Sequence, residues 1–452
     1  MTHKQRFLLL LFILCTLLCS ISVFAQTVNM LYDPTSDTLR NSIHKPPSTG
    51  TWKQVATLAA SDGEYQDQFG LSVSASGNTA VVGAPSANGG TGAAYVFVKS
   101  TKSGASITQL AELTASDGSP GDGFGVSVAV SGDTIVIGAV AHSVGPNPQQ
   151  GAAYVFVEPV GGWTDMTENA ELTASDGTSN DWLGNSVAID GGTVAAGAPQ
   201  TNNGGPGATY IFLKPANGWA DMTQTAKLTA SDGRADLMLG LSVGVTSNTV
   251  VSASDSNAAY VFVEPPSGWV DMNEAAKLSA SAHTVLMTVS ISSNAIAAGA
   301  DLASVNGEKG AVFVFVKPKS GWSSTSKANA ELTASNGQVF DELGYSVSID
   351  GNTIVAGAPN APCHLVRGRC NPLGPGAAYV FVKPASGWKN ATETAELMST
   401  GGQAGDQFGV SVANIGSTVL AGAPIADSVH GAAYVFGHVS SAGASVEDSI
   451  IP

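Results

Sequence analysis

The chain has 452 residues, of which 43% are hydrophobic and 12% charged, and its formal net charge is −16. A charged fraction about half of the roughly 25% usual in globular chains, with ample apolar material for a core, excludes an intrinsically disordered polymer, which needs the reverse balance. Negative charge spread along the chain argues against nucleic acid, whose phosphates would be repelled, and suits cations, neutral glycans or a soluble extracellular setting.

Residues 1–25 read as a signal peptide. Lys4 and Arg6 supply a short positive start, Phe7 to Leu18 is apolar apart from Cys15 and Thr16, and Val23-Phe24-Ala25 ends the segment with cleavage expected before Gln26. An uncleaved anchor is the alternative, but the apolar run falls short of the roughly 20 residues a span needs. Leu18 before Cys19 stands where a lipoprotein signal wants a small residue. No later segment is apolar enough to span, so the mature chain is expected to be secreted, or held in the cell envelope, as a monomer. Residues 26–51 lack any period and are rich in small and polar residues, as is 438–452; both are expected to be flexible.

From 52 to 437 one unit repeats seven times. Its clearest marker is Gly-Ala-Ala-Tyr-Val-Phe-Val at 92–98, 151–157 and 376–382, with variants at 207–213, 257–263, 310–316 and 431–437. The spacing of about 50 to 66 residues is that of a propeller blade. Upstream stands Gly-Ala-Pro, at 83–85, 197–199, 357–359 and 422–424. Further upstream stands Phe-Gly or Leu-Gly before x-Ser-Val, at 69–70, 124–125, 183–184, 239–240, 343–344 and 408–409. In the second repeat the expected strands are 125–130, 134–139 and 152–157, with either 109–115 or 170–174 as the fourth. Gly132-Asp133, like Gly77-Asn78, Gly191-Gly192 and Gly351-Asn352, offers the positive φ of a two-residue hairpin. Strands apolar on consecutive residues fit sheets buried on both faces.

The seventh unit stops after its third strand, near Phe436, and the chain starts on an orphan strand, Trp52–Ala59, that matches Trp388–Met398. The fold class expected is therefore all-β: a seven-bladed propeller of four-stranded antiparallel blades, closed when the N-terminal strand completes the last blade. An open solenoid would need capping repeats instead.

Phe-Gly followed by Gly-Ala-Pro at this spacing resembles the FG-GAP repeat family, the repeat of the integrin α-chain propeller and of many secreted bacterial proteins. The resemblance implies a seven-bladed propeller with roles in ligand binding and adhesion. It departs at calcium: integrin-type blades often carry a D-x-D-x-D-G loop in the first hairpin, whereas Ser76-Gly77-Asn78-Thr79, Ser131-Gly132-Asp133-Thr134 and Asp350-Gly351-Asn352-Thr353 are too short and hold at most one carboxylate in the turn. Calcium takes about six to eight oxygens. The fifth repeat is degenerate, with Thr288 after Leu286-Met287 where Phe-Gly belongs and Gly299-Ala300-Asp301 for Gly-Ala-Pro.

Three features carry candidate chemistry. Paired acids precede Phe-Gly: Asp62 and Asp67, Asp117 and Asp122, Asp176 and Asp181, with Asp341 and Asp406 at the second position only. Such pairs can hold a cation, Ca2+ included, or serve the turn through their own backbone. Cys363 and Cys370, the two cysteines outside the signal segment, are expected to form a disulfide. The loop they close also holds His364, Arg367 and Arg369, a locally basic contact site on an acidic chain. Trp163, Trp219, Trp269, Trp322 and Trp388 recur at one repeat position, either packing between blades or stacking on sugars; Trp182 stands apart, beside Leu183-Gly184. His44, His142, His283, His364, His430 and His438 are scattered, and no nucleophile, phosphate-loop or zinc-protease motif appears. No catalytic residue and no required cofactor are expected. The sequence thus favours a non-catalytic binding or adhesion module for an extracellular protein or glycan, the alternative being a carbohydrate-active propeller, either lectin-like or a polysaccharide lyase or hydrolase.

Overall fold

The computed structural model describes residues 50–99, 107–200, 204–280, 284–302, 309–363, 365–366, 369–370 and 373–440. Residues 1–25, read above as a signal peptide, most of 26–51, 441–452, His44, His283, His364 and Arg367 lie outside them. The described residues form seven sheets of four or five strands and one two-stranded hairpin. The first blade runs outward through Ser72–Ser76, Thr79–Ala84, Ala93–Lys99 and Ile107–Thr114, each antiparallel to the next. In the second blade the fourth strand is Ala170–Thr173, the downstream of the two candidates, and the innermost is Phe124–Ser131.

Each innermost strand touches the innermost strands of both neighbouring blades, and the first blade touches the seventh, so the ring is closed. The closing strand is Gly50–Leu58, which pairs antiparallel with Ala432–Ser440, Thr57 opposite Tyr434 and Leu58 opposite Ala433. It begins two residues before the expected boundary, and its partner runs three residues past 437, because both continue the ladder as far as Gly50 opposite Ser440. No helix among the described residues is long and apolar enough to cross a membrane.

The hydrophobic core lies between blades rather than within them. Val81, Ala94 and Val96 of the first blade pack with Phe124, Ile135, Ile137 and Tyr154 of the second. At the closure, Leu58 and Val435 of the seventh pack with Phe69, Val82 and Tyr95 of the first. Each such large side chain taken out of water stabilises the fold by about 1.5–3 kcal/mol. Trp163, Trp219, Trp269 and Trp388 are buried in these clusters, with Trp322 half-buried beside them, which is the packing role.

The sequence markers are the contacts between blades. A Cβ added at Gly83, the glycine of Gly-Ala-Pro, would lie 2.0 Å from the carbonyl oxygen of Gly125, the glycine of the next Phe-Gly. Gly125 itself has φ +94°, a torsion that side chains with a Cβ rarely adopt. The same approach recurs from Gly138 to Gly184, Gly197 to Gly240, Gly299 to Gly344, Gly357 to Gly409 and, across the closure, Gly422 to Gly70. Between the fourth and fifth blades both glycines are missing: Ala253, whose carbonyl accepts Gly240 N–H as that of Gly83 accepts Gly70 N–H, and Met287 occupy those places. Met287 N–H donates to Gly299 O as Gly70 N–H does to Gly83 O, and Thr288 Oγ1 donates to Gly344 O as Ser72 Oγ does to Gly125 O. Leu286 and Met287 therefore fill the Phe and Gly places; the residue lost is the one after them. The blade still forms, with Thr288–Ser292 paired to Ala295–Ala300.

Both edges of the second, third and fifth blades are covered, which avoids open ladders. On the inner side, serines of one blade accept the edge N–H groups of the next: Val130 N to Ser74 Oγ at 3.2 Å, Val187 N to Ser127 Oγ at 2.9 Å and Val243 N to Ser186 Oγ at 3.0 Å. On the outer side, the Gly-Trp segment of the following blade adds a short parallel strand. Met166–Thr167 pairs with Leu113 and Thr114, and Met222–Thr223, Met272–Asn273 and Ala391–Thr392 do the same for the second, third and fifth blades. Those blades have five strands rather than the expected four.

Candidate functional site

The strand order puts two sets of loops at the same rim. The loop after Gly-Ala-Pro leaves the second strand there, and the acidic loop enters the innermost strand there. The two are hydrogen-bonded in the first, second, third and seventh blades: Ser86 N to Asp67 O, Ala141 N to Asp122 O, Gln200 N to Asp181 O and Ile425 N to Asp406 O. The opposite rim holds the two-residue hairpins.

The second acid of each pair is a loop cap. Asp67, Asp122, Asp181, Asp341 and Asp406 each accept the N–H three residues upstream, from Glu64, Ser119, Thr178, Gln338 and Gln403, at 2.6 to 2.9 Å. Asp341 also accepts Cys363 N–H at 2.6 Å, tying the disulfide loop to the acidic loop. All five are buried. Burial pushes the carboxyls of Asp67, Asp341 and Asp406 upward, against the pull of these backbone bonds.

The first acid is bound to the tyrosine of the repeat. Tyr154 Oη donates to Asp117 at 2.9 Å, Tyr210 to Asp176 at 3.0 Å and Tyr260 to Asp232 at 3.1 Å, and Tyr95 bonds Asp62. Asn336 takes the same place before Tyr379. Asp232, which has no acid partner five residues on, belongs to this set although the paired-acid pattern passes it by. Burial and the neighbouring carboxylate hold these tyrosine hydroxyls well above their ordinary range.

A third position varies from blade to blade. The residue opposite the tyrosine on the outer strand is Glu112, Glu171, Lys227, Lys277, Glu331 (opposite Phe313) or Glu396. In the third blade Lys227 Nζ pairs with Asp176 at 2.5 Å and lies 5.3 Å from the Tyr210 ring centroid. In the fourth, Lys277 pairs with Asp232 at 2.9 Å. These lysines pull the carboxyls of Asp176 and Asp232 below their usual range, overcoming burial.

The second blade is different. Asp117 and Glu171 face one another with no lysine, and burial, then Asp117, pushes the Glu171 carboxyl up. Here His142 enters. Its Nδ1 lies 2.9 Å from Asp122 Oδ2, and its Nε2 lies 3.5 Å from Asp117 Oδ2 and 3.8 Å from Glu171 Oε1. The imidazole side chain is 9% exposed and meets the Tyr154 ring edge-on, centroids 5.8 Å apart. Its place in the repeat is fixed by Gly151 N–H, which donates to His142 O. Gly92 donates to Ala87, Gly376 to Ala361 and Gly431 to Ala426 in the same way. Three blades thus have a buried alanine where the second has histidine. Among the described residues, Asp117, His142 and Glu171 are the one group of three or more with ligand atoms close enough for a single ion. Of the acids singled out from sequence, Asp117 alone is in it; His142 and Glu171 were not singled out. The signal that marks His142 is its column in the repeat alignment, where alanine is the rule.

The disulfide joins Cys363 and Cys370, Cα atoms 5.3 Å apart, across a small hairpin in which Leu365 pairs with Cys370 and Val366 with Arg369. It stands in the Gly-Ala-Pro loop of the sixth blade, on the same rim as the acidic loops.

Comparison with solved structures finds similarity to the computationally designed Ika8 protein, at 13% identity and TM-score 0.46 over 85% of this chain and 99% of that one. The WD40 β-propeller domain of Doa1 is similar at 10% identity and TM-score 0.51 over 85% and 97%. The second likeness supports the propeller fold and nothing further. No curated protein matches the chain. The FG-GAP repeat matches residues 52–97, 107–156, 166–212, 327–381 and 391–436, which together exceed half of the chain. Residues 213–326, with the junction that has lost both glycines, fall between the third and fourth of these segments. With seven closed blades whose contacts are the Phe-Gly and Gly-Ala-Pro glycines themselves, the chain belongs to the FG-GAP repeat family.

Proposed function

We propose that the chain is an exported, non-catalytic binding module that engages an extracellular protein or glycan through the rim bearing the Gly-Ala-Pro and acidic loops. The FG-GAP propeller is in general a scaffold for binding and adhesion. One observation carries the choice of rim. The connections there differ in length from blade to blade, from 253–257 in the fourth to 359–376 in the sixth, while the hairpins of the opposite rim are uniform two-residue turns. A stiff ring with variation confined to one rim is the arrangement in which loops carry recognition. Export rests on residues 1–25 and on a disulfide, which persists in oxidising compartments.

The test is a panel of glycans and extracellular-matrix proteins probed with the mature chain, with polysaccharide turnover followed in parallel. Saturable binding that is lost on replacing residues 364–369 with a Gly-Ser loop, and kept on replacing Gly132-Asp133 of the opposite rim, is the expected result. Turnover of any polysaccharide would overturn the non-catalytic reading. Sequencing the N-terminus of the exported protein checks the leader, with Gln26 expected first.

A further inference from the structure

We infer that Asp117, His142 and Glu171 form a site for a divalent transition-metal ion of the zinc type. His142 Nε2 and one carboxylate oxygen from each acid are its three protein ligands.

The spacing supports this. Zinc binds nitrogen and oxygen at roughly 2.0–2.2 Å, which places neighbouring ligands of a tetrahedron about 3.3–3.6 Å apart. Nε2 stands 3.5 Å from Asp117 Oδ2 and 3.8 Å from Glu171 Oε1. These separations exceed a good hydrogen bond and fall within a few tenths of an ångström of ligands sharing one ion. The proton placement agrees. Nδ1 is 2.9 Å from the Asp122 carboxylate, an acceptor, so Nδ1 carries a hydrogen and Nε2 of the neutral ring presents a lone pair. A lone pair aimed at two carboxylates is repulsive unless a metal ion or a proton stands between them.

The supporting shell is present as well. The carboxylate on Nδ1 orients the ring, as in carboxylate–histidine–zinc arrangements, and Tyr154 Oη holds the other oxygen of Asp117. His142 is anchored at both ends, its N–H to Ala139 O and its carbonyl to Gly151 N–H. Asp117, whose side chain is 45% exposed, forms the mouth, leaving room for a water or a ligand group in the fourth position. One imidazole with two carboxylates suits zinc or a neighbouring first-row ion, whereas calcium wants an all-oxygen shell. The third and fourth blades reach charge balance at the same place with Lys227 and Lys277. In the second blade the metal takes the lysine's part.

The experiment is calorimetric titration of Zn2+ into the chelator-stripped mature chain, with Co2+ absorption as a second readout. One ion per chain is expected, at micromolar Kd or tighter, with the visible bands of a low-coordinate nitrogen–oxygen site. His142→Ala installs the residue of three other blades and is expected to fold and to lose about 100-fold or more in affinity. Glu171→Gln, a nearly isosteric change, is expected to weaken binding at least about tenfold and serves if the alanine variant does not fold. Absence of saturable Zn2+ uptake by the wild type would overturn the proposal and leave an imidazolium among carboxylates. Uptake unchanged in both variants would overturn it equally.

Discussion

Two glycines with different duties show what single residues contribute. At Gly83 the torsion is ordinary but space is absent, with the Gly125 carbonyl oxygen 2.0 Å from an added Cβ. At Gly77 space is open, nothing lying within 4 Å, but φ is +56°. Gly77→Ala is expected to cost about 1–2 kcal/mol, the left-handed strain of one residue. Gly83→Ala must push two blades apart and is expected to cost about 3 kcal/mol or more. Thermal unfolding of both variants checks the order; equal losses would mean that the blade contact is not as close as described.

A second residue-scale prediction concerns Asp301, which replaces the proline of Gly-Ala-Pro in the fifth blade. It is buried, and its carboxyl is pushed up to about 6, mainly by that burial and against the N–H of Leu302. Below about pH 4 the group is protonated both folded and unfolded and costs nothing. Between about pH 4 and 6 the unfolded chain ionises this carboxyl while the folded state keeps it protonated, so stability falls across that window and levels off above about 6, where the buried acid is ionised as well. Asp301→Asn is therefore expected to match the wild type near pH 4 and to exceed it by up to about 3 kcal/mol above pH 7. Denaturant melts at pH 4, 6 and 8 measure this, and a pH-independent difference would count against it.

Elements were legible where the physics is local. Alternating turn residues and apolar runs located the three inner strands of each blade, because hairpins and doubly buried strands leave contiguous signatures. The short parallel strands were not legible. Met166–Thr167 is two residues long and owes its conformation to an edge in the preceding blade, held by Asp165 on Glu112 N–H and Glu168 on Ser116. The site divides the same way. The Asp-Gly turns are visible, but their bonds to tyrosines 34 to 37 residues on in the second and third blades, and the meeting of His142 with Asp117 and Glu171, depend on which strands the ring makes neighbours. The disulfide, with six residues between its cysteines, closes a small loop at the rim. Its chain-entropy effect is only about 2–3 kcal/mol. Spread over an unfolding transition of this size, reduction is expected to lower Tm by no more than about 3 °C. A larger fall would show that the loop supports the blade.

At the scale of the molecule the central claim is that the chain's own first strand closes a seven-bladed ring. Closure places the core cluster of Leu58, Phe69, Val82, Tyr95 and Val435 between the last blade and the first, and it covers the open edge of Ala432–Ser440. The repeats and the orphan strand made this architecture readable from sequence, since a missing strand at one end and a spare one at the other fit only a ring or a pair of chains. Amide hydrogen exchange read by mass spectrometry on the intact chain tests it most directly. Closure predicts that amides in 50–58 paired with 432–440 exchange as slowly as those of the outer strands in the other blades, at every protein concentration. Exchange of that segment at the rate of an unstructured tail, or protection that appears only as concentration rises, would contradict a ring closed within one chain.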